Sequence, residues 1–152
     1  MLLKLFNDQI TRYWENIREM LEASAPPLVG DNPGAVNQIM ENILLGKMQC
    51  WVLYEQKGDV KAPEIRIYAM LVTQIWHEPG SFTKNLLIYA LYGYSFVPEE
   101  LWKSGLESLK RWAKKKKCYA IVAFTQVPRV ADLVKMLGGD TSTTFLKLEI
   151  DK

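Results

Sequence analysis

Apolar residues recur every three or four positions near the start of the chain. Leu3, Phe6, Ile10, Tyr13, Trp14, Ile17 and Leu21 fall on one side, with Asp8, Arg12, Glu15, Arg18, Glu19 and Glu22 mostly between them. This spacing predicts an amphipathic helix. Ala25-Pro26-Pro27 should end it, because proline fixes φ and carries no N–H to continue the ladder. The stretch from Pro26 to Pro33 reads as a loop. Asn32 before Pro33 supplies an N-cap and a first-turn proline for a second helix. That helix carries Val36, Ile39, Met40, Ile43 and Leu44 on one face as far as Gly46.

Beyond Gly46 the period changes. Met48 to Tyr54 is rich in aromatic and β-branched residues and reads as a strand. Gln56-Lys57-Gly58-Asp59 is turn material, so Ile65 to Trp76 should return antiparallel as a hairpin. His77-Glu78-Pro79-Gly80 breaks the chain again, and Leu86 to Tyr92 forms a third strand of a meander. Helical spacing then resumes after Pro98-Glu99-Glu100, through Leu101, Trp102, Leu106, Leu109, Trp112 and Ala113. Tyr119 to Thr125 is a continuous apolar run, as expected of a strand covered on both faces. A helix that crosses over the sheet places this strand parallel to its predecessor. Pro128 opens a last helix through Val130, Leu133, Val134 and Leu137, ended by Gly138-Gly139. Thr143 to Ile150 then alternates as a final strand. The predicted order is two helices, three strands, helix, strand, helix, strand.

The 152 residues are 49% hydrophobic and 24% charged, enough for a single domain over 1–152 with one core and no room for a second. A formal charge of +2 names no nucleic-acid partner. The one basic cluster, Lys110, Arg111 and Lys114 to Lys117, reads as a helix C-terminus, where cations oppose the dipole. Cys50 and Cys118 have no metal-ligand spacing, so two reduced thiols and no bound metal are expected. His77 is the only histidine. The apolar start, Met1 to Phe6, lacks the marks of a signal peptide, and no apolar run is long enough to span a bilayer, so a cytoplasmic protein without a membrane partner is expected.

The element order, the run from Lys114 through Cys118 to Phe124, and the later Leu133-Val134-Lys135-Met136-Leu137-Gly138-Gly139 together resemble the GNAT superfamily of N-acetyltransferases. The likeness covers roughly Ile10 to Ile150. It implies an α/β fold with a mixed, mostly antiparallel sheet, flanking helices and a parallel strand pair that splays between Leu86–Tyr92 and Tyr119–Thr125. It further implies that acetyl-CoA lies in the gap and passes its acyl group directly to an amine. The backbone of Leu91, Tyr92, Gly93, Tyr94 and Ser95 is then the place for pantetheine and phosphates.

In the family the pyrophosphate rests on a glycine-rich loop that leads into the crossover helix, where free N–H groups and the positive dipole end meet it. The corresponding loop here is Tyr92-Gly93-Tyr94-Ser95-Phe96-Val97-Pro98, with one glycine and no arginine or glutamine. Bulky Tyr94, Phe96 and Val97, the missing donor of Pro98, and the charges of Glu99 and Glu100 together predict that CoA binding is absent or weak. The last helix carries Arg129, Asp132 and Lys135 but no tyrosine to act as an acid. Tyr92, Tyr94 and Tyr119 lie near the expected cleft, and His77 lies far from it in sequence, so no catalytic residue is assigned.

Two further readings stand beside the enzyme. The layout is also similar to divergent GNAT-like chains of tailed bacteriophages, which implies a noncatalytic interaction or accessory protein. Alternatively, Trp14, Trp51, Trp76 or Trp102 could serve an unrelated binding module at a protein interface, although Trp102 and Trp112 share the apolar face of one helix and should be core.

Overall fold

The change of period after Gly46 marks where the sheet is laid down. In the computed structural model, which describes residues 1–24, 26, 34–125 and 127–150, β2 spans Gln49–Lys57, β3 Glu64–His77 and β4 Lys84–Gly93. All three pair antiparallel as the predicted meander. The first hairpin closes on Gly58, whose φ of +96° suits only glycine, and where a Cβ would stand 3.2 Å from the Ala62 carbonyl. The second closes on Glu78. Its carboxylate accepts from Gly80 N at 3.0 Å and from Ser81 N and Oγ at 2.6 and 2.7 Å. The Ser81 hydroxyl, and then the two amides, hold this carboxyl below its ordinary range.

Helix α4, Glu99–Lys115, crosses over and delivers β5, Ala120–Ala123, parallel to β4. Its close approach to the sheet depends on Gly105, where an added Cβ would meet Leu53 Cδ1 at 3.3 Å. The helix stops at the lysines as expected: Lys116 is the C-cap and Lys117 turns to φ +60°. Helix α5, Pro128–Met136, follows. The strand order β1-β2-β3-β4-β5 is the chain order, and the mixed, mostly antiparallel α/β sheet is the fold the sequence implied.

Both ends of the chain differ from expectation. Leu3 and Phe6 do not belong to a helix. Leu2–Lys4 forms an edge strand, β1, antiparallel to β2, before two helices, α1 (Asn7–Arg12) and α2 (Trp14–Ser24). Leu2 packs toward α4 and Leu5 into the opposite core, while Leu3 and Phe6 are exposed. That is a period of two, which seven residues mimic as helical spacing when Ile10 follows. At the far end, Thr143–Ile150 pairs with no strand among the described residues. Leu146, Leu148 and Ile150 are 85–89% exposed. Alternation supplies a strand's side chains but not its partner, and β5 presents only four residues to pair with. The second helix, α3, runs Ala35–Leu44; the expected Asn32-Pro33 start and nearly all of the Pro26 to Pro33 loop lie outside the described residues.

The sheet separates two cores. One holds Ile17, Met20, Leu21, Met40, Cys50, Met70 and Val72 beneath the first three helices. The other holds Trp51, Leu71, Leu86, Leu109 and Ala113 beneath α4, with Trp51 and Trp112 edge to face at 5.3 Å. Each fully buried aliphatic side chain contributes about 1.5–3 kcal/mol. Cys50 and Cys118 therefore sit in opposite cores as free thiols. Among the described residues, no helix is long and apolar enough to cross a membrane.

Candidate functional site

The parallel pair is short. β5 meets β4 from Asn85↔Ala120 to Ile88↔Ala123 and then ends, while β4 continues to Gly93. At that point β4 is also irregular. Val72 faces Ala90 and Thr73 faces Ile88, so Tyr89 is an extra residue that bulges the strand. Bulges bend a strand and re-aim its groups, and they gather beside functional sites. The strands part where β4 bends.

The edge thus exposed carries usable donors and acceptors. Tyr94 N–H reaches the Tyr68 carbonyl of β3 at 2.9 Å. Backbone groups alternate sides along a strand, so those of Gly93 and Leu91 point to the other edge, past the end of β5. The five sequence-predicted residues lie together on this feature. Leu91 packs into the α4 cores, Tyr92 into the core on the other face, and Gly93 and Ser95 are exposed at the mouth. Tyr94 stands edge to face with Tyr92 at 5.1 Å and donates its hydroxyl to Met70 Sδ at 3.0 Å. Burial first, then the neighbouring Cys50, Tyr92 and Glu19, raises the Tyr94 phenol above its ordinary value. Burial alone raises Tyr89. Both stay protonated at neutral pH.

A cleft of about 140 Å³ opens beside Gly93 and Ser95, walled by Val97 and Trp102 and roofed by Val130 and Leu133 of α5. The start of α4 borders it. Pro98 is the N-cap and its carbonyl takes the Leu101 and Trp102 N–H groups at 3.0 and 3.2 Å. Because Pro98 precedes the first turn, its missing N–H removes no first-turn donor, and those of Glu99 and Glu100 remain. Glu99 is paired with Lys103 at 2.8 Å, which leaves Glu100 as the uncompensated charge among the described residues of that turn. Opposite stands Arg129, over the Phe96 ring at 4.7 Å and without an ion-pair partner among the described residues.

Sequence reasoning missed the bulged Tyr89 and the position of Arg129 over Phe96. No local signal marks a bulge, since it depends on the partner strand. Arg129 was visible as a cation in the turn after Pro128, but only the fold carries it to the loop that lacks one. Tyr119 is exposed beside β5, and His77 ends β3 opposite Lys84, at the far end of β4 from the cleft. Trp51 is buried, Trp14 and Trp102 are half-buried, and Trp76 is exposed. Among the described residues, no three His, Cys, Asp or Glu side chains gather as a metal site.

No family model matches the chain, and no curated protein matches its sequence. Solved structures do. The aminoglycoside N-acetyltransferase AAC(6')-Iy, in complex with a CoA-containing bisubstrate analogue, aligns over 100% of this chain and 98% of its own, at TM-score 0.68 and 13% identity. The ribosomal-protein-alanine N-acetyltransferase of Brucella melitensis aligns over 99% of both chains, at 0.63 and 10%. The chain has the GNAT fold. A predicted acetyltransferase of Clostridium acetobutylicum, solved with acetyl-CoA, aligns over 98% of this chain and 95% of its own, at 0.65 and 13%. Identities this low establish the GNAT scaffold and leave the chemistry to the site.

Proposed function

We propose that the protein is an acetyl-CoA-dependent N-acetyltransferase whose donor lies along Leu91, Tyr92, Gly93, Tyr94 and Ser95. The observation that carries this reading is the parting of β4 and β5 after Ile88↔Ala123, with β4 running on to Gly93. Bound there, acetyl-CoA supplies a thioester-activated acetyl group for an amine nucleophile. The edge groups of Leu91 and Gly93 match the amides of a pantetheine chain, and a cleft of about 140 Å³ takes a narrow chain rather than a nucleotide. The remaining N–H groups of the α4 start and the Arg129 guanidinium face the phosphates. Val130 and Leu133 keep water from the chain beneath them. The protonated hydroxyls of Tyr89 and Tyr94 are donors and not bases, so the amine must arrive neutral or lose its proton to water.

The fit is incomplete at the phosphates, where Glu100 repels and Phe96 crowds the loop. A dissociation constant of roughly 0.1–1 mM, about 4–5.5 kcal/mol, is expected. Calorimetric titration with CoA and acetyl-CoA, followed by thiol release over a panel of amines, tests the reading. Saturable binding with amine-dependent thiol release supports it. No heat at millimolar donor overturns it and favours the second reading, a noncatalytic accessory protein with a GNAT fold, which the charge of Glu100 at the phosphate position supports.

A further inference from the structure

A second, larger cavity of about 550 Å³ lies away from the cleft. Trp112 and Lys116 of its wall belong to the last turn and C-cap of α4, whereas the cleft borders the first turn. Trp102 lines the cleft and Trp112 the cavity, so about 15 Å of helix axis lies between the two walls. The cavity exists because β1 is only three residues long. After the last pair, Lys4↔Trp51, the Leu5 N–H still donates to the Cys50 carbonyl at 2.9 Å, and the chain then turns into α1 while β2 begins one residue earlier, at Gln49.

The charged groups around this space are cations, and Asn7, the other polar side chain of the wall besides Gln49, donates its amide to the Leu44 carbonyl at 3.3 Å. Lys4 and Lys116 have no ion-pair partner among the described residues, and no aspartate or glutamate lines the wall. Lys116 sits over the Trp112 ring at 5.5 Å. Gln49 is held by a relay: Trp51 Nε1 donates to Thr73 Oγ1, which donates to Gln49 Oε1, both at 2.9 Å. The relay occupies the amide oxygen and turns the Gln49 NH2 away from it. Phe6, Ile75 and Trp112 supply apolar wall, and Lys114, Lys115 and Lys117 deepen the positive potential at the helix end.

We propose that this cavity binds a small amphipathic carboxylate, its acid group between Lys4, Lys116 and the Gln49 amide and its apolar body against Phe6, Ile75 and Trp112. Volume, apolar walls and a few convergent donors are what such sites share, and two cations with no nearby carboxylate select an anion. The site is independent of the donor cleft.

Octanoate, octanol and octylamine serve as probes, titrated into the full-length chain while Trp fluorescence and heat are followed. Octanoate should bind saturably at one site, and octylamine should not bind. Lys4→Ala/Lys116→Ala should weaken octanoate at least tenfold with an unchanged melting temperature, while Arg129→Ala should leave it unaltered. Lys116→Glu alone should weaken it further than Lys116→Ala. Octanol binding as tightly as octanoate, full affinity in the double variant, loss of affinity in Arg129→Ala, or no saturable binding of octanoate would each overturn the proposal.

Discussion

Raising the pH should unfold this protein partly through one thiol. Cys50 is fully buried in β2 beneath the first three helices, and burial pushes its pKa from 9.0 up to about 12, against a smaller opposing contribution from the Trp51 backbone. In the unfolded chain the thiol ionises near its ordinary value; in the folded chain it stays neutral. The stability is therefore fully present below about pH 9 and is lost as pH rises toward about 12. The loss is roughly 1 kcal/mol at about pH 10 and approaches roughly 4 kcal/mol at the top of that window. Tyrosines and lysines titrate in the same range, so the assay must be differential. Urea unfolding at about pH 8 and about pH 10 is compared for the wild type and Cys50→Ala, which share every other group. The wild type should lose roughly 1 kcal/mol more than the variant. Parallel losses, or a Cys50 thiol that reacts with disulfide reagents in the native state as fast as Cys118, would refute the burial argument.

Leu86→Ala empties a fully buried position at the root of the splayed pair and should cost about 3–5 kcal/mol, lowering the melting temperature by roughly 6–20 °C in a thermal melt; a shift under about 2 °C would contradict the packing. Glu100→Gln should tighten CoA binding several-fold at low salt and less at high salt, whereas Glu99→Gln should do little, because Lys103 already neutralises Glu99; equal effects in calorimetry would misplace the phosphates. Arg129→Ala should weaken CoA without changing the melting temperature. Limited trypsin digestion should cut first after Lys147, in the exposed C-terminal segment, and release a fragment without melting the sheet; early cleavage inside β3 would contradict the architecture.

How much was legible depends on whether an element carries its own signal. Helix α4 did, because Leu109 and Ala113 fall on one face and are buried. So did the meander, whose turns announce themselves in Gly58 and in the His77 to Gly80 break. Strand β1 did not, because three residues cannot establish a period and Phe6 and Ile10 extended it into a helical one. The segment Thr143–Ile150 shows the reverse, a clear alternation that joins no strand ladder among the described residues. At the candidate site, Leu91 to Ser95 were named by the resemblance; they follow one another at the end of β4, where Leu91 and Gly93 turn their backbone groups to the free edge and Tyr94 turns its N–H to β3. The Tyr89 bulge and the meeting of Arg129 with Phe96 arise from pairing between distant segments, which no local window contains.

The strand order that follows chain order has a consequence for assembly. β2, β3 and β4 are joined by links of a few residues, Lys57 to Glu64 and His77 to Lys84, so their contacts close small loops at little entropic cost. β5 waits for the whole of α4 to form and cross. The cleft is therefore completed late: Gly93 ends a strand of the meander, whereas Val130 and Leu133 of α5 follow β5, which docks through four residue pairs. Mutations in β3 should slow folding, and mutations in β5 should mainly speed unfolding. A chain that stalls before the last step is a folded meander without the cleft.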